Sequence, residues 1–422
     1  MKLGCRRAAK RRAVLKTIAV IATLDTKAGA IAYLRDEITR RGYRALLVDV
    51  GCGGEPKLEA DVSAAEVAQA AGADIECLRV SRNRDEVSEA MIAGAVARLE
   101  TLCRGGRVDA LISVGGASSA IMASSIMSGL PYRLPKLIFS SSASLAGSHR
   151  WFGPTGITVM HCLVDVGDLN QLLREQLSRA AGAICGMVES EVLPSAGTKP
   201  MVAMTTNGWV PFSAHLISEA LKDDFEVVEF HAIGVPEVFM EMLIEEGRIA
   251  AVIDLVPSSV TNEIYQGSRI SWPRRLEVAG EKGLPQVVAP CLVNVISRAR
   301  DGSPAQAEEM KTRRHYFIDR QRVLLWLSLE EVRAVASVYA HKLNKAVGPT
   351  IFLVPMKGWM TAEVEGSDFY DRDTVVGFVA ALREKLKPGV EVREVEANID
   401  SAAFGEAAVA AFREVTGVDH RA

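Results

Sequence analysis

Short apolar runs rich in β-branched residues alternate along this chain with longer stretches in which apolar residues recur every three or four positions. That alternation is the pattern of buried parallel strands joined by crossover helices, the α/β class. In the first half the candidate strands are Thr17 to Thr23, Ala45 to Val50, Ala110 to Val114, Lys136 to Ser140 and Ile157 to Val164. Helices fill most of the intervals. Over Ala30 to Arg41, for instance, Ile31, Leu34 and Ile38 line one face while Arg35, Asp36, Arg40 and Arg41 occupy the other.

At 422 residues the chain is too long for one ordinary core. A short Pro/Ser/Gly/Thr connection over Val192 to Lys199 marks the boundary, and a second series of elements follows it. Its strands are Met201 to Thr205, Glu226 to His231, Ala250 to Leu255 and Gln286 to Ala289, with a helix over Phe212 to Leu221. Past a polar stretch from Arg300 to Arg322 come strands near Val323 to Leu327, Thr350 to Val354 and Val390 to Val395. The expected organisation is a basic tail over 1–16, an N-terminal ligand-binding domain over 17–191, a linker over 192–199 and a C-terminal α/β domain over 200–422.

The halves echo one another. Gly106-Arg107-Val108 before one strand is matched by Gly247-Arg248-Ile249 before another, and Leu134-Pro135 by Leu284-Pro285. Internal duplication and independent use of one supersecondary unit account for these echoes equally well.

Composition narrows the function. Lys plus Arg number 49 against 52 Asp plus Glu, so the basic excess of a dedicated nucleic-acid surface is absent. The seven cysteines are scattered and form no CxxC pair, which suggests neither a disulfide framework nor a zinc site and fits a reducing, cytoplasmic setting. No HxxxH or HxH spacing points to a transition metal. The apolar stretch Thr17 to Leu24 is short and β-branched, a strand rather than a signal, and no run approaches the roughly 20 apolar residues that cross a bilayer.

Ligands of open parallel sheets settle beyond the carboxyl ends of the strands, so the residues there carry the functional reading. After the first strand comes Thr23-Leu24-Asp25-Thr26-Lys27-Ala28-Gly29, where hydroxyls and free N–H groups can receive an anion and Lys27 can neutralise it. A helix N-cap by Asp25 or Thr26 with an exposed lysine is the plainer reading of the same residues. The next strand ends in Asp49-Val50-Gly51-Cys52-Gly53-Gly54, in which Asp49 suits a ribose hydroxyl or its own loop and Gly51 permits close backbone approach.

The strongest local feature is Ser113-Val114-Gly115-Gly116-Ala117-Ser118-Ser119, a strand running through paired glycines into a helix. Exposed amides, the helix dipole and the hydroxyls of Ser118 and Ser119 make a cradle for phosphate or carboxylate, although no Gly-Lys-Ser/Thr follows and P-loop hydrolysis is not indicated. A fourth strand opens into Ser140-Ser141-Ser142-Ala143-Ser144, equally dense in hydroxyls but without a Gly-x-Ser-x-Gly elbow. In the second half the strand ends present Thr205-Thr206-Asn207-Gly208, His231, Asp254, Ser258-Ser259, Cys291 and Lys357-Gly358-Trp359.

From Thr17 to the C-terminus the chain resembles a family of two-domain proteins that includes the ATP-binding, inhibitory region of the tomato mosaic virus resistance protein. The likeness is carried by Thr23-Leu24-Asp25-Thr26-Lys27, Leu47-Val48-Asp49-Val50-Gly51, the Gly115-Gly116 turn, and Asp165 with Leu169-Asn170 ahead of Ala180-Ala181-Gly182-Ala183. In the second half Phe230-His231-Ala232, Leu284-Pro285-Gln286 and Pro355-Met356-Lys357-Gly358 correspond. The resemblance implies two consecutive Rossmann-like domains, ATP binding, and self-association into a homodimer or higher homo-oligomer. The chain departs from the family at Gly116-Ala117-Ser118-Ser119-Ala120, where a richer glycine loop is usual, and again after His231 and at Thr205-Thr206-Asn207-Gly208-Trp209.

The leading expectation is therefore a nucleotide, ATP first, or a related phosphorylated metabolite held by the Gly115 and Ser140 loops, with Lys27 supplying charge and Asp25 positioning a magnesium ion. A rival is an enzyme acting on a small carboxylate or acyl substrate between the two domains through His231, Asp254 or Lys357. A third is a protein-interaction scaffold that nucleotide merely stabilises.

Overall fold

The computed structural model describes residues 15–145, 148, 152–190, 197, 199–269 and 271–418. Most of the expected basic tail, and the expected linker apart from Gly197 and Lys199, lie outside the described residues. The chain divides into two compact units, Met1–Pro194 and Ser195–Ala422. Both are α/β, built on mainly parallel Rossmann-like sheets.

In the first unit five parallel strands, β1 (Thr17–Ala22), β2 (Arg44–Asp49), β3 (Ala110–Gly115), β4 (Lys136–Ser140) and β5 (Ile157–His161), lie in the order β2-β1-β3-β4-β5. The reason β1 reads as an unbroken apolar run is that it is buried on both faces. Ile18, Val20 and Ala22 join the core beneath helices Ala28–Arg40 and Gln171–Glu189, while Ala19 and Ile21 join the opposite core with Leu46, Val67 and Leu99. Burying an Ile or Val side chain contributes roughly 1.5–3 kcal/mol, so two-sided burial fixes β1 as an interior strand of the sheet.

In the second unit β6 (Met201–Thr206), β7 (Glu226–His231), β8 (Ala251–Asp254), β9 (Gln286–Val288), β13 (Thr350–Pro355) and β14 (Val390–Val395) form a parallel sheet ordered β14-β13-β9-β8-β6-β7. Read from β7, this is the first unit's order with one strand added. The sequence echoes fall at equivalent places in it. Gly106 and Gly247, both left-handed with φ of 63° and 71°, turn the chain into β3 and β8. Pro135 O accepts from Leu111 N at 2.9 Å, as Pro285 O accepts from Val252 N at 3.0 Å.

The segment around the polar stretch departs from the expectation. It holds helix Pro304–Thr312 and β11 (His315–Phe317), and β10 (Val295–Ala299), β12 (Arg322–Trp326) and β11 make a separate antiparallel sheet ordered β10-β12-β11. Val323, Leu324 and Leu325 are all buried, so β12 reads like a parallel-sheet strand although it is the centre of an antiparallel one. β10 buries only Val295, Ile296 and Ser297 before Arg298 reaches outward, too short an apolar signal to stand out. Among the described residues no helix is long and apolar enough to cross a membrane.

Candidate functional site

β1, β3 and β4 lie side by side and parallel, so the loops that follow them open at one edge of the sheet. Ile21 is the register partner of Ser113 and Gly115 that of Ser140. Continuing the register sets Thr23 level with Gly115 and Ser140. The strand order reverses between β1 and β3, which is where such sheets leave a crevice.

Two helices begin at this crevice, Ala28–Arg40 and Ala117–Ser128, and neither carries a side-chain cap. The unit's helices at Ala64–Ala70, Ile75–Val80, Arg84–Arg104 and Gln171–Glu189 are capped, by Ser63, Asp74, Asn83 and Asn170. Among the described helices of this unit, uncapped amides are thus confined to the pair facing the crevice, where their partial positive charge is available to an anion. Gly29 and Gly116, at the two helix starts, have open space where a β-carbon would stand. Gly115 does not: a β-carbon there would come within 2.4 Å of Ser119 Cβ, so the turn into the helix closes only around glycine.

The hydroxyls divide into those that build the loops and those that are offered by them. Thr26 is exposed and its Oγ1 shares a hydrogen bond with Thr23 Oγ1 at 2.9 Å. Ser140 is fully buried and its Oγ accepts from Ser142 N at 3.1 Å, pinning the turn. Ser141 and Ser142 are half-buried, Ser144 is exposed with its Oγ 3.4 Å from His161 Nε2, and Ser118 and Ser119 stand exposed and half-buried on the first helical turn. Lys27 reaches across to the carbonyl of Val166, which holds its ammonium while leaving two of its donors.

Asp25 and Asp49 lie together behind the β1 loop. Asp49 is buried, and its Oδ1 accepts from Leu24 N at 3.1 Å and Gly51 N at 2.9 Å. Burial raises its pKa above the ordinary carboxylate value against the pull of those amides, and neighbouring Asp25 adds to the rise. Asp25 is 8% exposed and its Oδ1 has no hydrogen-bond partner. Burial, with Asp49 and Asp25 close by, pushes the Cys52 thiol up to about 11, so it stays protonated at neutral pH. Arg79, far off in sequence, comes to the same loop, donating to Glu55 Oε1 at 2.8 Å and Gly54 O at 3.5 Å. Nothing local marks Arg79 in the sequence; its place depends on the short helix Ile75–Val80 turning back on the glycine loop.

The second-unit residues are not brought together. His231 ends the edge strand β7 and is exposed, whereas Lys357 follows β13, four strands away across the sheet, a separation of about 19 Å at ordinary strand spacing. Asp254 is buried and committed: both its oxygens pair with Arg275, and Oδ1 also accepts from Thr205 Oγ1 at 2.7 Å. Arg275 further holds Glu237 at 3.4 Å and Glu241 at 3.2 Å, so one guanidinium ties three buried carboxylates. The sequence expectation of Asp254 as an acid or base in an open cleft therefore meets a structural ion pair.

Comparison with known proteins adds the following. Residues 16–192 match the model of the N-terminal domain of the uncharacterised protein family UPF0261, and residues 199–416 match the model of its C-terminal domain. A UPF0261 protein of Clostridium tetani is 31% identical over 393 residues, covering 92% of this chain and 96% of its own. A UPF0261 protein of Brucella melitensis is 31% identical over 402 residues, 94% of each chain. The ToMV resistance protein Tm-1(GCR237) of Solanum lycopersicum is 26% identical over 315 residues, 72% of this chain and 41% of that protein. Among solved structures, UDP-GlcNAc 2-epimerase from Neisseria meningitidis bound to UDP-GlcNAc is similar over 65% of this chain and 82% of its own, at 10% identity and a TM-score of 0.25. Superposition that loose transfers neither ligand nor activity.

Proposed function

The chain belongs to the UPF0261 family, and we propose that it binds a phosphorylated small molecule, ATP in the first instance, in the crevice between β1 and β3. The observation that carries this reading is the selective absence of caps: the unit's described helices away from the crevice have their amides satisfied by a side chain, and the two that face it do not. Phosphate oxygens would accept from the amides of Ala28 to Ala30 and of Ala117 to Ser119, with Ser118, Ser119, Ser141, Ser142, Ser144 and Thr26 adding hydroxyl donors. Lys27 would supply charge at the rim, and Asp49 would reach the ligand only by leaving its own loop amides. The choice of ATP rests on the resemblance read in the sequence.

Asp25 suits a magnesium ion. Its Oδ1 is a buried anionic oxygen with no donor, which is a cost the fold would recover by binding a cation. Among the described residues no group of three or more His, Cys, Asp or Glu is placed to hold a metal, so phosphate oxygens and water would supply the remaining ligands. The ion's chemistry there is charge neutralisation of the phosphates.

A cytoplasmic setting is supported by the free state of Cys52, Cys77, Cys103, Cys162, Cys185 and Cys291. Self-association rests on the resemblance. Isothermal titration of the whole protein with ATP, with and without magnesium, tests the central claim: saturable heat that strengthens with magnesium is expected. Absence of heat at millimolar ligand would refute it.

A further inference from the structure

Beyond the carboxyl ends of β6 and β8, where the second sheet reverses its order, a buried amide N–H lacks a partner and a half-buried guanidinium keeps most of its donors open. Asn207, 8% exposed, follows β6 directly; its Oδ1 accepts from Trp209 N at 2.9 Å, while its buried Nδ2 donates to nothing. Arg269 makes one hydrogen bond among the described residues, from Nη1 to Ser258 Oγ at 2.5 Å, and no carboxylate pairs with it. Burial holds its guanidinium below the ordinary value, which Glu237 and Cys291 offset only in part.

These groups gather at one edge of the second sheet. Thr205 and Asp254 are register partners, and Val256 N donates to Thr205 Oγ1 at 2.9 Å. Asn207, two residues past Thr205, and the fully buried Ser258, two past Val256, therefore follow adjacent strands beyond the same edge of the sheet. Backbone strain collects around the same place. Gln266, Leu276 and Leu292, with φ of 52°, 69° and 58°, are the non-glycine residues in the left-handed region among the described residues, and they flank Arg269, Arg275 and Cys291. Each left-handed leucine costs roughly 1–2 kcal/mol, a strain that folds tolerate where side chains must be held for a purpose.

The chemistry of the occupant follows from what this edge lacks. Helix Pro211–Leu221 begins here, yet its first amides are already taken, because Asp400 Oδ1 accepts from Phe212 N at 2.8 Å and Ser213 N at 3.0 Å. The helix that follows Ser258, Ser259–Ile264, has no side-chain cap either, but its six residues make less than two turns, a weaker cradle for phosphate than the longer helices of the first unit. What remains is a planar guanidinium fork and a side-chain amide N–H, the donor set that suits a carboxylate. We infer that the second unit holds a separate site for a small carboxylate, gripped by Arg269 beside Ser258 with Asn207 Nδ2 donating to it or to a neighbouring oxygen of the same molecule.

The test is titration of the whole protein with acetate, lactate, succinate and glutarate, with inorganic phosphate as the control, followed by the fluorescence of Trp209 and its neighbours. At least one carboxylate should give a saturable change that phosphate does not. That change should weaken tenfold or more in R269Q and in N207D, the second of which sets a like charge against the ligand. R269K, which keeps the charge and loses the fork, should fall between. If R269Q fails to fold by circular dichroism, N207D carries the comparison. A flat response to all four carboxylates, an equal response to phosphate, or full binding in N207D would overturn the assignment. None of these outcomes depends on the nucleotide proposal.

Discussion

Asp25 Oδ1 lies 2.9 Å from the point where a β-carbon on Gly51 would stand, and Asp49 Oδ1 lies 3.1 Å from the same point. Glycine at 51 is thus a condition for packing two carboxylates behind the β1 loop. In Gly51→Ala one of them must move, at an expected cost of about 1–3 kcal/mol. The variant should melt lower and bind ATP at least tenfold more weakly, by thermal denaturation and calorimetry; an unchanged affinity would show that the carboxylates do not position the ligand.

Asp25→Asn should part stability from function. Oδ1 of Asp25 has no hydrogen bond for the substitution to break, so the ligand-free protein should stay within about 0.5 kcal/mol of the parent. The same protein should lose the strengthening of ATP binding by magnesium. Melting curves with ATP, with and without magnesium, read both effects at once.

Gly116→Asp supplies the missing cap. Gly116 has extended backbone, φ −84° and ψ −160°, and free space at its β-carbon, so aspartate fits without strain. Its carboxylate would take the amides at the start of Ala117–Ser128 and add roughly 0.5–1 kcal/mol. Phosphate would be displaced. A higher melting temperature together with lost ATP heat is the expected pair of results, and retained binding would mean the ligand lies elsewhere.

Glu241 links stability to pH. It is 1% exposed, and burial, only partly answered by Arg275, pushes its pKa up to about 7, with Asp254 adding to the rise. The folded protein therefore keeps a proton that the unfolded chain releases near the ordinary glutamate value of 4.5. Stability from this group falls as pH rises from there through about 7, and is level above it. Glu241→Gln keeps the acceptor for Arg275 and Leu276 N while removing the titration. Its denaturation midpoint should vary less between pH 5 and 8 than the parent's; Glu237, likewise raised by burial, leaves some slope.

The strands of both parallel sheets were legible because each carries a short apolar or β-branched run bounded by turns, even where, as in β7 and β14, few of its residues are buried; β4, β7 and β14 begin and end where the sequence places them. The loops around Thr26, Gly115 and Ser141 were legible for the same reason, since strand order alone sets them at one edge. Three things were not. The antiparallel sheet hides in a polar stretch whose strand β11 has only three residues. The pairing of Asp254 with Arg275 spans a separation of 21 residues, so a side chain that reads as free chemistry is in fact neutralised. Asn207 and Arg269 gain their meaning from missing partners, which no spacing records.

Asp400 closes the helix start after β6, and no described side chain does so after β1. The second unit thus carries this counter-charge as part of its own covalent chain, while the first, on the proposed binding, would borrow one from the medium. Heat tolerance of the first unit alone should then track the free concentration of the borrowed anion, making it a gauge of supply, while the second holds a constant reference.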